Sequence, residues 1–146
     1  LVSGVKNIRT TSVKNKKMEI QNIDHIVLTV ADIDATVTFY TEILNFQVVT
    51  FGDNRKALTF GNQKINLHQK GHEFEPKAHQ PTCGSADLCF ISSTDIETVL
   101  KELQEKNIDI IEGIVDRTGA LGKIRSVYFR DPDMNLIEVS TYSNKQ

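Results

Sequence analysis

Polar and apolar positions along the chain fall into one pattern that occurs twice. From residue 24 to residue 30 they alternate with a period of two, the mark of a strand buried on one face. Ile33, Val37, Tyr40 and Leu44 then recur at helical spacing, and Asp32 or Asp34 stands where it can cap that helix. Three short strands are predicted next, over 46–51, 55–60 and 63–69, with Gly52-Asp53-Asn54 and Gly61-Asn62 as turns. The order then recurs. A strand is predicted over 86–92. A helix follows in TDIETVLKELQEKN, where Thr94 and Glu97 are spaced as a capping box and Ile96, Val99, Leu100 and Leu103 form the apolar face. Strands over 108–114, 124–130 and 135–141 complete the second copy. The unit is βαβββ, repeated at a displacement of roughly sixty residues. Between the copies, KGHEFEPKAHQPTCGS (70–85) has two prolines, two glycines and no periodicity, and reads as a linker. The predicted class is α+β, with module one over 22–69 and module two over 86–142 in one domain, 22–142.

The polar interruptions of these strands are informative. Leu136, Ile137 and Val139 read as a buried strand, yet Glu138 stands among them, and burying a lone carboxylate costs several kcal/mol unless it is paired or binds a cation. Aligning the copies through their apolar residues puts His25 opposite Asp87 and Asn66 opposite Glu138. His68 shares a face with Asn66, because side chains alternate along a strand. If a pseudo-twofold axis relates the halves, His25, Asn66, Asp87 and Glu138 converge on one point. An imidazole, two carboxylates and an amide at one point describe a divalent-cation site. The bland alternatives are a satisfied core or edge residue for His25 and Glu138, and a cap on the linker end for Asp87. His72 and His79 lie in the linker beside Glu73 and Glu75 and read as solvated or gating residues. Residues 117–120, with Lys123, read as a flexible loop able to close over an acidic substrate. Arg55 and Arg125 read as structural or rim charges. Tyr128 and Phe129 are adjacent, so only one of them can face the site.

Composition then narrows the function. Hydrophobic residues are 39% and charged residues 25% of 146, ordinary for a globular chain, and no apolar run approaches a membrane span. Cys83 and Cys89 fit no zinc motif and make no disulfide framework, so both are expected reduced, in the cytoplasm or alternatively in mitochondria. Residues 1–17 hold Lys6, Arg9, Lys14, Lys16 and Lys17 and no acid. Removing those five from the 17 basic residues leaves 12 against 19 acidic ones, a net of −7. An acidic body argues against a nucleic-acid surface. The basic segment, within an extension over 1–21, reads as an organelle-targeting remnant or, preferably, a weakly ordered extension that can be deleted without loss of stability. Residues 143–146 form a short tail.

The stretches DHIVLTVADIDATVTFYTEIL and FRDPDMNLIEVS resemble the vicinal oxygen chelate superfamily, the glyoxalase and bleomycin-resistance group. RKALTFGNQKINLHQ, GHEFEPKA, GSADLCFI and RTGALG are, more narrowly, similar to glyoxalase domain-containing protein 5. The resemblance covers about residues 22 to 142. It implies paired modules whose curved mixed sheets form a cup around a divalent metal (zinc, manganese, magnesium, nickel or iron), and a homodimer that exchanges modules in some members. Carried over by residue, it implies His25 and Glu138 as metal ligands, with Glu138 also moving a proton. Asp87 stands where the family's second-module His is usual, and Asn66 where Glu or Gln is common, with His68 two residues on. Met134 replaces the usual glycine of the last turn. The expected metal set is His25, Asp87, His68 and Glu138, with Asn66, Arg117 and Tyr128 on the substrate. Three functions follow: a metal-dependent enzyme for a small oxygen-chelating substrate, with isomerase, lyase or related chemistry; a metal-free protein that binds and sequesters a small molecule; or a non-catalytic dimeric domain. The absence of Trp, with only three Tyr, disfavours sequestration of a flat drug. No membrane or nucleic-acid partner is expected.

Overall fold

A computed structural model describes residues 15–143, with ten elements in the order β1 (His25–Val30), α1 (Ile33–Leu44), β2 (Gln47–Phe51), β3 (Arg55–Phe60), β4 (Gln63–Gln69), β5 (Asp87–Ile91), α2 (Ile96–Glu105), β6 (Glu112–Gly119), β7 (Gly122–Arg130) and β8 (Leu136–Tyr142). Most of the basic extension, 1–14, lies outside the described residues. The part from 15 to 24 is exposed and has no regular structure.

Each module builds one four-stranded mixed sheet, in the orders β1-β4-β3-β2 and β5-β8-β7-β6. The first strand of each pairs in parallel with the last, and the other pairs are antiparallel. The register supports the internal alignment: Val27 pairs with Asn66, and Cys89 with Glu138. Neither sheet closes. One face of each packs on the helices. There Leu28, Val30, Leu58, Ile65 and Leu67 meet Val127, Phe129, Ile137 and Val139 in a single core with Tyr40 and Leu103. An aromatic chain joins the halves: Phe46 stacks on Phe60 at 4.4 Å, and both meet Phe90 edge-on at 5.2 Å. Among the described residues, no helix is long and apolar enough to cross a membrane.

Three local expectations need correction. Helix α2 is capped by Asp95, which accepts from the Thr98 N–H at 2.9 Å, and not by a Thr94–Glu97 box. Glu97 instead pairs with Arg125 at 2.7 Å. The sixth strand runs over 112–119 rather than 108–114, because Ile108 and Ile110 serve the core from an extended segment outside the ladder. Arg117 and Lys123 consequently lie on the two strands of a hairpin, paired Arg117–Ile124 and Thr118–Lys123, and form no open loop. In the last turn Met134, standing where a glycine is usual, is left-handed at φ 67°, and Asn135 is buried by its side-chain bonds.

Candidate functional site

The face of each sheet turned away from the helices carries the polar interruptions. In module two, directly opposed residues form the row Cys89–Glu138–Tyr128–Glu112. Glu138 Oε1 accepts from the Ser140 hydroxyl at 3.2 Å. Ser140 is linked in turn to Ser126 at 2.7 Å and to the Cys89 thiol at 3.3 Å. The Arg117 guanidinium lies 5.4 Å from the Tyr128 ring centre, and its Nε donates to the Tyr128 oxygen at 3.2 Å. Arg117 also pairs with Glu112 at 3.0 Å. Burial, with the Glu138 carboxylate beside it, holds the Tyr128 phenol above its ordinary pKa. Glu138, Tyr128, Arg117 and Cys89 line a cavity of about 400 Å³. Glu138 therefore faces neither the core nor an isolated position. It has hydroxyl partners and an open space in front of it.

In module one the corresponding row is Val27–Asn66–Ala57–Val49. His25 lies at the start of β1, with Nδ1 at 2.7 Å from Asp24 Oδ1. In the neutral ring, an Nδ1–H bonded to this carboxylate leaves Nε2 as the acceptor, an arrangement usual for metal-bound histidines. Asn66 and His68 are buried, and the Asn66 Oδ1 has no hydrogen-bond partner among the described residues. His68 Nε2 lies 3.4 Å from Arg55 Nη2. Burial, followed by the Arg55 charge, lowers the His68 pKa. His68 lines a different cavity, of about 450 Å³, between β1 and the linker, together with Thr29 and Lys77.

The chain brings some of the expected residues together and not others. Glu138, Tyr128 and Arg117 share one cavity. Asn66 and His68 share one face of β4. His25 and Cys89 line a narrow groove of about 170 Å³ between β1 and β5 that does not include Glu138. Asp87 is exposed at the start of β5, opposite Leu136. Within one chain, among the described residues, no three His, Cys, Asp or Glu side chains come close enough to hold a cation. The donor chemistry nevertheless suits a divalent ion: an imidazole backed by a carboxylate, and a glutamate already oriented by a hydroxyl. Sequence reasoning did not give Arg55, Phe51 and Phe74 a place in the site. The available signal was alternation: Arg55 is two residues before Ala57, the cross-strand partner of Asn66, and so shares its face.

The chain is 56% identical over 142 residues to the virulence protein STM3117 of Salmonella typhimurium, covering 97% of this chain and 99% of that protein. The crystal structure of STM3117 superposes with a TM-score of 0.85 and 62% identity, over 86% of this chain and all of the other. The glyoxalase domain-containing protein RDO1 of Mycosarcoma maydis is 53% identical over 131 residues, 90% of this chain and 74% of that protein. The metallothiol transferase FosB of Staphylococcus epidermidis is 29% identical over 125 residues, 85% of this chain and 84% of that protein. Residues 22–139 match the family model throughout, and the chain belongs to the Glyoxalase/Bleomycin resistance protein/Dioxygenase superfamily.

Proposed function

We propose that the chain is a divalent-metal-dependent enzyme acting on a small substrate with two adjacent oxygens, by isomerase, lyase or related chemistry. His25 carries this reading: its Nδ1 is engaged by Asp24, and in the neutral ring Nε2 is then the nitrogen available to a cation. The metallothiol transferase among the relatives supports metal chemistry, and the motifs similar to glyoxalase domain-containing protein 5 fit the same class. His25, Glu138 and Asp87 would hold the cation. His68 is the weakest member of the set, because Arg55 stands at its Nε2. When bound, the cation would supply Lewis acidity to two adjacent substrate oxygens. Glu138 then takes a proton from the substrate. The Ser140 hydroxyl orients its carboxylate, and Arg117 and Tyr128 hold the substrate from the facing strands.

A homodimer belongs to this proposal. The ligands are divided between two sheets that do not unite them in one chain. A second copy would bring module one of one chain against module two of the other. The open faces carry apolar residues suited to burial, with Val27 46% and Ile91 53% exposed. Zinc, manganese and iron titrations of wild type, Glu138→Gln and His25→Ala test the site. Wild type is expected to bind, and both variants to lose affinity by orders of magnitude while remaining folded. Equal binding in all three removes the site. Asp87, where the family resemblance implies a histidine, favours the second reading, a metal-free small-molecule binder. That reading is expected to show ligand binding with no metal affinity in wild type.

A further inference from the structure

The guanidinium of Arg55 is held in an unusual way. Phe51 lies 5.0 Å from it and Phe74, contributed by the linker, 4.4 Å. Stacking on aromatic rings covers the faces of a guanidinium and leaves its edge, where all five N–H groups lie. One of these groups reaches His68. The Nε–H is buried and has no partner, and no carboxylate of the described residues lies within ion-pair distance of Arg55. The nearby acid Glu73 is engaged elsewhere, accepting from the Gly71 N–H at 3.2 Å. A buried donor on a charged group with no partner is costly, so an arrangement that preserves one calls for an external acceptor.

A second orphan stands on the same face. Asn66 Oδ1 is buried and unpartnered. Lys64, also on this face, lies over the Phe51 ring at 4.7 Å and adds positive potential. We propose that Arg55, with His68 and Asn66, forms a carboxylate-binding subsite, and that the substrate is a small organic acid. The guanidinium edge would receive the carboxylate in the bidentate geometry to which its planar fork is matched, and Asn66 Oδ1, an acceptor, would take a hydroxyl or other donor of the acid next to it. The Asn66 Oδ1 acceptor beside the guanidinium repels further negative charge, which favours a planar monoanion over a doubly charged phosphate.

The register sets the scale. The rows His25–Lys64 and Thr29–His68 are four strand residues apart, about 13 Å at about 3.3 Å per residue. An acid spanning from this subsite toward His25 would hold its chelating oxygens on the order of 10 Å from the carboxylate. This last statement rests on the metal reading, whereas the subsite itself does not.

The test uses the full chain, metal-free and zinc-loaded, titrated with butyrate and with inorganic phosphate. The Arg55 Nε–H and His68 ring resonances are followed by NMR. Butyrate is expected to shift both resonances saturably in metal-free wild type. Arg55→Lys keeps the charge but loses the fork, and should weaken binding at least tenfold, while Arg55→Met should abolish it. Zinc binding should be unchanged in both variants. Unmoved resonances, equal butyrate binding in Arg55→Met, or tighter binding of phosphate than of butyrate would overturn the carboxylate subsite. Loss of zinc binding in wild type with the butyrate response intact would remove the metal reading and leave the subsite standing.

Discussion

Asn66 and Glu138 occupy the same place in two copies of one unit. Each is on the last strand of its module, opposite the third residue of the first strand, and each faces away from the helices. The residues around them differ in kind. Asn66 is flanked across the ladder by Val27 and Ala57, with Arg55, His68 and Lys64 nearby, and the face is cationic and aromatic. Glu138 is flanked by Cys89 and Tyr128, with Ser126, Ser140 and the Arg117–Glu112 pair nearby, and the face is hydroxyl-lined, with the Glu138 carboxylate as the charge not offset by an ion pair among the described residues. The two modules share one backbone register, while the chemistry of their open faces is complementary. Opposed charge of this kind suits two faces that meet, or two ends of one ligand.

The modules differ also in their last turns, and here the largest effect is expected. Module one uses Gly61-Asn62, an exposed turn. Module two uses residues 131–135, organised by buried Asp131. That carboxylate accepts from the Tyr40 hydroxyl and the Asn135 amide at 2.8 Å, and from the backbone N–H groups of Asp133 and Asn135 at 3.0 and 2.9 Å. Because Tyr40 belongs to α1, this turn ties the two modules together. Asp131→Ala should cost about 3–5 kcal/mol in urea unfolding, since several buried donors each lose a partner worth about 1–3 kcal/mol. Asn62→Ala should stay within about 0.5 kcal/mol. Similar costs for the two would abolish the distinction between the turns.

Asp87 tests the comparison at the site. If Asp87 reaches a shared cation, Asp87→His should raise zinc affinity relative to magnesium at least tenfold, because imidazole suits the softer ion. An unchanged zinc-to-magnesium ratio would return Asp87 to an exposed strand end.

Met134→Gly should act on the module-two turn in the opposite sense to Asp131→Ala. Met134 holds φ 67° and is exposed, so no packing is lost on its removal. Relief of the left-handed strain, about 1–2 kcal/mol, is partly offset by the chain entropy of glycine, leaving a gain of about 1 kcal/mol or less. A loss of stability would show that the Met134 side chain does more than occupy the turn.

The parts of the molecule that were legible in the sequence are those with a strong period. Strands β1, β3 and β4 and both helices follow from alternation or helical spacing, because one face of each is buried on a common core. Strand β6 was misplaced by its apolar prefix. Ile108 and Ile110 pack against the core without joining the ladder, while the true strand is a mostly polar edge with a register shift between Glu112 and Val115. The cap of α2 was misread because Thr94 and Asp95 are both competent, and a charged carboxylate bonding Thr98 prevails. At the site, Glu138 was readable because it interrupts an apolar strand. The environment of Arg55 was not, since Phe74 reaches it from a linker with no periodicity at all.

The smallest effect concerns His68, whose counterpart in module two is Ser140, a residue that does not titrate. Burial and the Arg55 charge lower the His68 pKa, with Lys77 acting in the same direction and Glu73 opposing it. The unfolded chain therefore takes up this proton first as the pH falls. Protons bound more readily by the unfolded state mean that stability declines on acidification through the ordinary histidine range, from about pH 7 to about pH 5. In His68→Gln this contribution is absent, and the remaining histidines are common to both proteins and cancel in the difference. The urea midpoint of wild type should thus fall more steeply between about pH 7 and about pH 5 than that of the variant. Saturating butyrate should reduce the difference, because a carboxylate held beside Arg55 offsets the Arg55 charge, which after burial is the next cause lowering the His68 pKa. Parallel pH profiles with and without butyrate would show that His68 does not sense the subsite, and that the cationic character of module one ends at Arg55.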